Sequence, residues 1–128
     1  MATVDSADER PSPRMYEGAF GSSFAELVTQ LRDVLGVRLV AYIGGVKAAS
    51  SVTHWATGTA EPDEGVRDRL RQALHIVLVL REVEPDEVIR SWFIGMDPRL
   101  DDRAPAEVLR EGRSIDAMSA ARGFVNAG

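Results

Sequence analysis

Between Leu39 and Trp55 the chain gathers side chains of the kind that meet phosphates and base edges. Lys47, Ser50, Ser51, Thr53 and His54 follow a Gly44-Gly45 pair. On one short helix they would form an exposed polar face. A lysine neutralises a phosphate, while hydroxyls and an imidazole bond to phosphate oxygens or base edges. No arginine, the usual guanine reader, stands between Lys47 and Trp55. A helical hairpin that binds no DNA remains the alternative for the same residues.

A second group lies further along. Trp92 and Phe93 stand near Asp101 and Asp102, and the connection between them is stiffened by Pro98 and Pro105. Aromatic anchors are favoured at protein interfaces, and the acidic surroundings suit a basic protein partner better than DNA. The alternative is a solvated acidic loop over a tryptophan-filled core.

Enzymatic chemistry finds little to work with, and a non-enzyme without a cofactor is expected. The chain has no cysteine. His54 and His75 are far apart, and His75 falls in a long apolar stretch, where a hydrogen-bonded filler is expected. Asp101-Asp102 and Glu84-Pro85-Asp86-Glu87 lack the glycine and alternation of a calcium loop, so solvated charge is expected and no metal. Gly44-Gly45-Val46-Lys47 lacks the spacing of a phosphate loop.

The elements that must position these groups are helical. Phe24, Leu27, Val28, Leu31, Val34 and Leu35 recur at helical spacing, with Ser23 and Glu26 as a capping box and Gly36 just past the end. Val37 to Ile43 and Lys47 to Trp55 form two short helices about the glycine turn. Ala41 allows their close approach, Val46 and Val52 point inward, Trp55 sits underneath, and Gly58 with Pro62 closes the unit. Asp63 caps a long helix to about Val83, with Val66, Leu70, Ala73, Leu74, Val77 and Leu78 on one face. Beyond Leu74 it is apolar nearly all round through Ile76, Val79 and Leu80, which predicts a homodimer. Pro85 opens a helix with Val88, Ile89, Trp92 and Phe93 on its apolar face, broken at Gly95 to Pro98. Pro105 opens a short helix that ends at Gly112. Ser114 caps a last one from Ile115 to about Val125. The class is all-α, since no alternating strand pattern runs longer than four residues.

Composition fits one soluble domain. The 128 residues are 45% apolar, with a net charge of -5. That charge opposes coating of nucleic acid in bulk but allows a small basic head. Between Ser23 and Ala60 the bases slightly outnumber the acids. From Glu82 to Glu111 acids dominate. The longest apolar run, Ile76 to Leu80, is far short of the ~20 residues of a membrane span, and the N-terminus lacks the pattern of a signal peptide, so a cytoplasmic protein is expected. Residues 1–19 read as a flexible arm, 20–62 as the helix-turn-helix region and 63–128 as a helical region for dimerisation and partner binding.

Trp55, Gly58 and Pro62 resemble the Trp-x-x-Gly-x-x-x-Pro element that ends the helix-turn-helix of Xre-type repressors. Trp92 to Leu100, followed by Pro105-Ala106-Glu107-Val108-Leu109-Arg110-Glu111-Gly112, resembles the C-terminal domain of the Xre/MbcA/ParS-like antitoxins. Their pattern is a Trp, an Asn- or Asp-Pro turn, a Leu, and then Pro-Ala-x-x-Leu-x-x-Gly. The resemblance covers roughly residues 23 to 125. It implies an antitoxin that blocks a RES-domain, NAD-consuming toxin and represses the shared operon by binding operator DNA. It also implies that the toxin meets the C-terminal half. There Arg113, Ile115, Met118, Arg122 and Phe124 join Trp92, Phe93, Asp101 and Asp102 as candidates. After Gly112 the chain departs from the pattern, with Arg113-Ser114 in place of a longer linker.

Overall fold

The computed structural model describes residues 19–127, with side chains from Phe24 onward. The arm expected over 1–19 lies outside these, save Ala19, which opens the first helix. Among the described residues seven α-helices follow one another: α1 Ala19–Leu35, α2 Val37–Gly44, α3 Ala49–Thr57, α4 Glu64–Leu80, α5 Asp86–Ile94, α6 Pro105–Arg110 and α7 Ser114–Ala127. A single 3₁₀ turn, Pro98–Leu100, lies between α5 and α6.

The breaks are local chemistry. Gly36, Gly45, Gly58 and Gly112 all have positive φ, between 77° and 87°, and a glycine adopts that conformation without the Cβ clash other residues meet. Asp63 accepts a hydrogen bond from the Val66 amide at 3.0 Å and starts α4 as expected. The first helix differs. It begins at Ala19, so Ser23 lies within it and is not its cap.

One apolar core runs through both halves. Val28, Leu31 and Val34 of α1 meet Val40 and Ile43 of α2, Val52 and Trp55 of α3, and Leu70, Ala73, Ile76, Val77 and Leu80 of α4. Ile89 and Phe93 of α5, Val108 and Leu109 of α6, and Ala117, Ala120 and Ala121 of α7 complete it. The small residues of α7 let it lie close on α4, and the two are in contact. Most of the run that looked apolar on every side is therefore covered within the chain. Ile76, Val77 and Leu80 are buried and Val79 is half-buried, leaving Leu78 at 47% exposure. His75 is exposed and fills no core. On α5, Val88 also turns outward.

Among the described residues no helix is long and apolar enough to cross a membrane. No group of three or more His, Asp or Glu side chains among them is placed to hold a metal ion.

Candidate functional site

The α2–α3 unit is held by a tight glycine contact. A Cβ on Gly44 would lie 3.1 Å from Trp55 Cη2 and 3.2 Å from its Cζ3, so the indole packs on bare backbone. Gly45 turns the chain at φ 77°, and the Val46 amide donates to the Ala41 carbonyl at 3.0 Å. α3 then starts at Ala49, and its N-cap residue, Ala48, supplies no side-chain hydrogen bond. Lys47 stands before the helix, not within it. Val52 and Trp55 are buried, as expected, and Val46 packs partly against the core.

The outer face of α3 carries Ser50, Thr53 and His54, all exposed, with Ser51 half-buried beside them. Positions 50, 53, 54 and 57 form one helical stripe, so these groups do share a surface with Lys47 at its head. His54 Nδ1 lies 3.1 Å from Thr59 Oγ1, and Thr57 Oγ1 donates to the Thr53 carbonyl. The C-terminal end of the stripe is tied down, while Lys47 and Ser50 are exposed at its start. Of the five side chains chosen by type, Ser50, Thr53 and His54 thus fall on one accessible stripe, with Lys47 exposed just before the helix and Ser51 half-buried.

The second group is arranged differently from expectation. Trp92 is only 8% exposed and Phe93 is fully buried, their rings meeting edge to face at 5.2 Å. Neither can anchor a partner without leaving the core. The Trp92 indole Nε1 instead donates to Asp97 Oδ2 at 3.1 Å. Asp97, 4% exposed, takes the Arg99 amide on its other oxygen at 2.8 Å and so caps the 3₁₀ turn. Its backbone amide donates to the Arg103 carbonyl, and its carbonyl accepts from Leu100 and Asp102. The spacing Trp92, Asp97-Pro98, Leu100, Pro105, Leu109 and Gly112 is the outline of this device: a capped turn, a buried leucine, a helix opened by proline and a left-handed glycine stop. The motif that carries the resemblance therefore does its work inside the fold.

Asp101 and Asp102 are exposed at the tip of this connection. Both have positive φ, 59° and 65°, and the Arg103 amide donates back to Leu100 at 3.2 Å. That is a type I′ turn, in which aspartate is tolerated better than most residues. Arg103 reaches Glu107 at 3.1 Å and also pairs with Glu111. The guanidinium hydrogen bond holds the Glu111 carboxyl below the usual carboxylate range.

α7 divides the remaining candidates. Phe124 is half-buried with its ring 6.3 Å from Trp92, and Met118 also packs on the core. Arg113 is exposed but engaged with Asp116 at 2.9 Å, Arg122 is exposed, and Ile115 is 85% exposed. Arg99 crosses over Gly123, bonding its carbonyl at 3.3 Å, where a Cβ would come within 2.6 Å of Arg99 Nε. The last helix is thus fastened to the core. Ile94 and Met96, 62% and 79% exposed, flank the hydrogen-bonded hub centred on Asp97 and were not singled out by residue type. Their position just before a buried Asp-Pro turn is the only sequence signal for them.

A solved structure shares this fold. It is a chain of "Crystal structure of the M.tuberculosis MbcT-MbcA toxin-antitoxin complex", matched with a TM-score of 0.69 at 23% identity over 80% of this chain and 94% of that one. No protein-family model matches the sequence, and no curated protein matches it. Over the matched part, therefore, this chain shares its fold with a chain of that complex.

Proposed function

We propose that the protein is the antitoxin of a type II toxin–antitoxin pair. It binds a RES-domain, NAD-consuming toxin directly and represses their operon through α2 and α3, acting as a homodimer or within a larger complex. The observation that carries this is the fold shared with a chain of the MbcT-MbcA complex across 94% of that chain. The Trp92 to Gly112 pattern supports taking the matching chain as the antitoxin.

The toxin-facing surface is redrawn from the sequence expectation. Asp101 and Asp102 stay in it, joined by exposed Ile94 and Met96 on the same connection. Ile115 and Arg122 stay as the outer face of α7, with Arg113 just before it. Trp92, Phe93, Met118 and Phe124 support that surface from beneath. Exposed Leu78 and Val83, about the end of α4, are the remaining apolar candidates for a dimer contact.

A stand-alone helix-turn-helix regulator is the second reading, favoured by the accessible stripe on α3. Co-expression with the product of the adjacent open reading frame separates the two. Growth rescue and a stable complex of both proteins support the antitoxin. Operator binding without a toxin partner leaves the regulator. For the DNA arm, Lys47→Glu in a folded protein should weaken operator binding strongly, and retained affinity removes the Lys47 to His54 surface from the reading.

A further inference from the structure

We infer that Arg38 and Arg110 form, with Lys47, a clamp for the phosphate backbone of duplex DNA, so that the C-terminal half takes part in DNA binding. This rests on the DNA-binding reading above and adds residues to it that the recognition helix does not contain.

Arg38, Tyr42, Lys47 and Arg110 line one surface groove of about 570 Å³, with Ala49 at the start of α3 on its edge. A second groove of about 610 Å³ shares Arg38 and Tyr42 and adds Arg90, whose Nε donates to the Val34 carbonyl at 3.0 Å. Among the described residues no carboxylate lines either groove, in a chain whose net charge is -5. Among the described residues, ion pairs engage Arg67, Arg71, Arg81, Arg99, Arg103 and Arg113. None of them engages Arg38, Lys47 or Arg110. The Arg110 guanidinium stands 4.6 Å above the ring of Tyr42, which is 38% exposed. Stacking on the ring keeps the charge extended over the groove and leaves its edge N–H groups for an anion.

Position selects the ligand. The groove opens at the start of α3, where the outer stripe of that helix begins. Helix-turn-helix proteins hold a recognition helix in register by phosphate contacts on either side of it. α3 lacks an arginine of its own, and Arg38 from α2 and Arg110 from α6 supply two beside it. An acidic protein segment would meet the same charges but has no need of the α3 stripe.

The test is fluorescence anisotropy with two 30-base-pair duplexes, one from upstream of the protein's own coding sequence and one unrelated. Salt is titrated from 50 to 300 mM. Arg38→Gln, Arg110→Gln, Arg110→Lys and the control Arg71→Gln, at an exposed arginine of α4 paired with Asp68, are compared with the unaltered chain, each checked for helicity. Each lost phosphate contact removes about 0.9 from the slope of log affinity against log salt, or about eightfold in affinity at 0.1 M salt. Arg38→Gln and Arg110→Gln should each do so on both duplexes alike, while Arg110→Lys restores most of the slope and Arg71→Gln changes nothing. If the unaltered protein binds and both glutamine variants keep its slope, the clamp is wrong and the DNA reading stands. If the unaltered protein binds neither duplex at 50 mM salt, both fall. Poly-glutamate binding as tight as duplex binding, with the same dependence on Arg38 and Arg110, overturns the clamp in favour of an acidic protein.

Discussion

Asp97→Ala should be among the most damaging substitutions on the α5–α6 connection. The side chain is 4% exposed and accepts from Trp92 Nε1 at 3.1 Å, from the Arg99 amide at 2.8 Å and from the Arg99 guanidinium at 3.5 Å. A hydrogen bond to a charged acceptor contributes about 1.5–3 kcal/mol, and orphaning a buried donor such as the indole N–H costs about 1–3 kcal/mol. Loss of a cap costs about 1 kcal/mol more. These overlap, so the expected destabilisation is about 3–4 kcal/mol, a large share of the ~5–15 kcal/mol that holds a domain together. Asp97→Asn should cost about half as much. Its single carbonyl oxygen can serve the indole or the Arg99 amide but not both, since the two donors now bond to different oxygens. Urea unfolding measures both variants, with the midpoint falling at unchanged slope. A double-mutant cycle with Trp92→Phe should give a coupling of about 1–2 kcal/mol. An Asp97→Ala loss under about 1 kcal/mol, or no coupling to Trp92, would refute the hub.

Gly44→Ala should lose about 1–3 kcal/mol by pushing a Cβ into the Trp55 ring. Thermal melting checks it, and an unchanged melting temperature would contradict the tight contact. Asp102→Gly should raise stability by about 0.5 kcal/mol, because glycine relieves a positive φ of 65° at the second central position of the I′ turn. A melting temperature that falls would contradict the turn assignment. Glu111 has a depressed folded-state pKa, set by Arg103. Its contribution is therefore complete above the ordinary glutamate value of about 4.3 and is lost as pH falls through the lower folded-state value. Glu111→Gln should flatten the acid limb of stability against pH and leave the neutral region nearly flat; an unchanged acid limb would remove Glu111 from that role.

The parts of the fold that could be read from the residues are those set by neighbours in sequence. Asp63 caps α4, and Gly36, Gly58 and Gly112 end helices at positive φ, because each is decided within one turn of chain. The α3 stripe was legible for the same reason. What failed depended on contacts between elements. On α4, Leu78 sits one position beyond buried Val77 and turns outward, which the period alone does not decide in a stretch apolar on every side. Trp92 and Phe93 look like interface anchors by type. Their burial depends on Asp97 folding back five residues later and on Phe124 arriving from α7. Ser23 has the right type for a cap, yet the helix runs on through it to Ala19. The basic groove was invisible because Arg38, Lys47 and Arg110 converge from three separate segments.

Inhibition of the toxin is the most direct test of the central proposal. The product of the adjacent open reading frame, which the proposal takes to be a RES-domain toxin, is purified and incubated with NAD while the unaltered protein is titrated in, and remaining NAD is measured. NAD consumption should fall in proportion to added protein and stop at a fixed stoichiometric ratio, with an Asp101→Lys, Met96→Glu double variant needing a large excess. Undiminished NAD consumption with the unaltered protein in excess would contradict the antitoxin assignment.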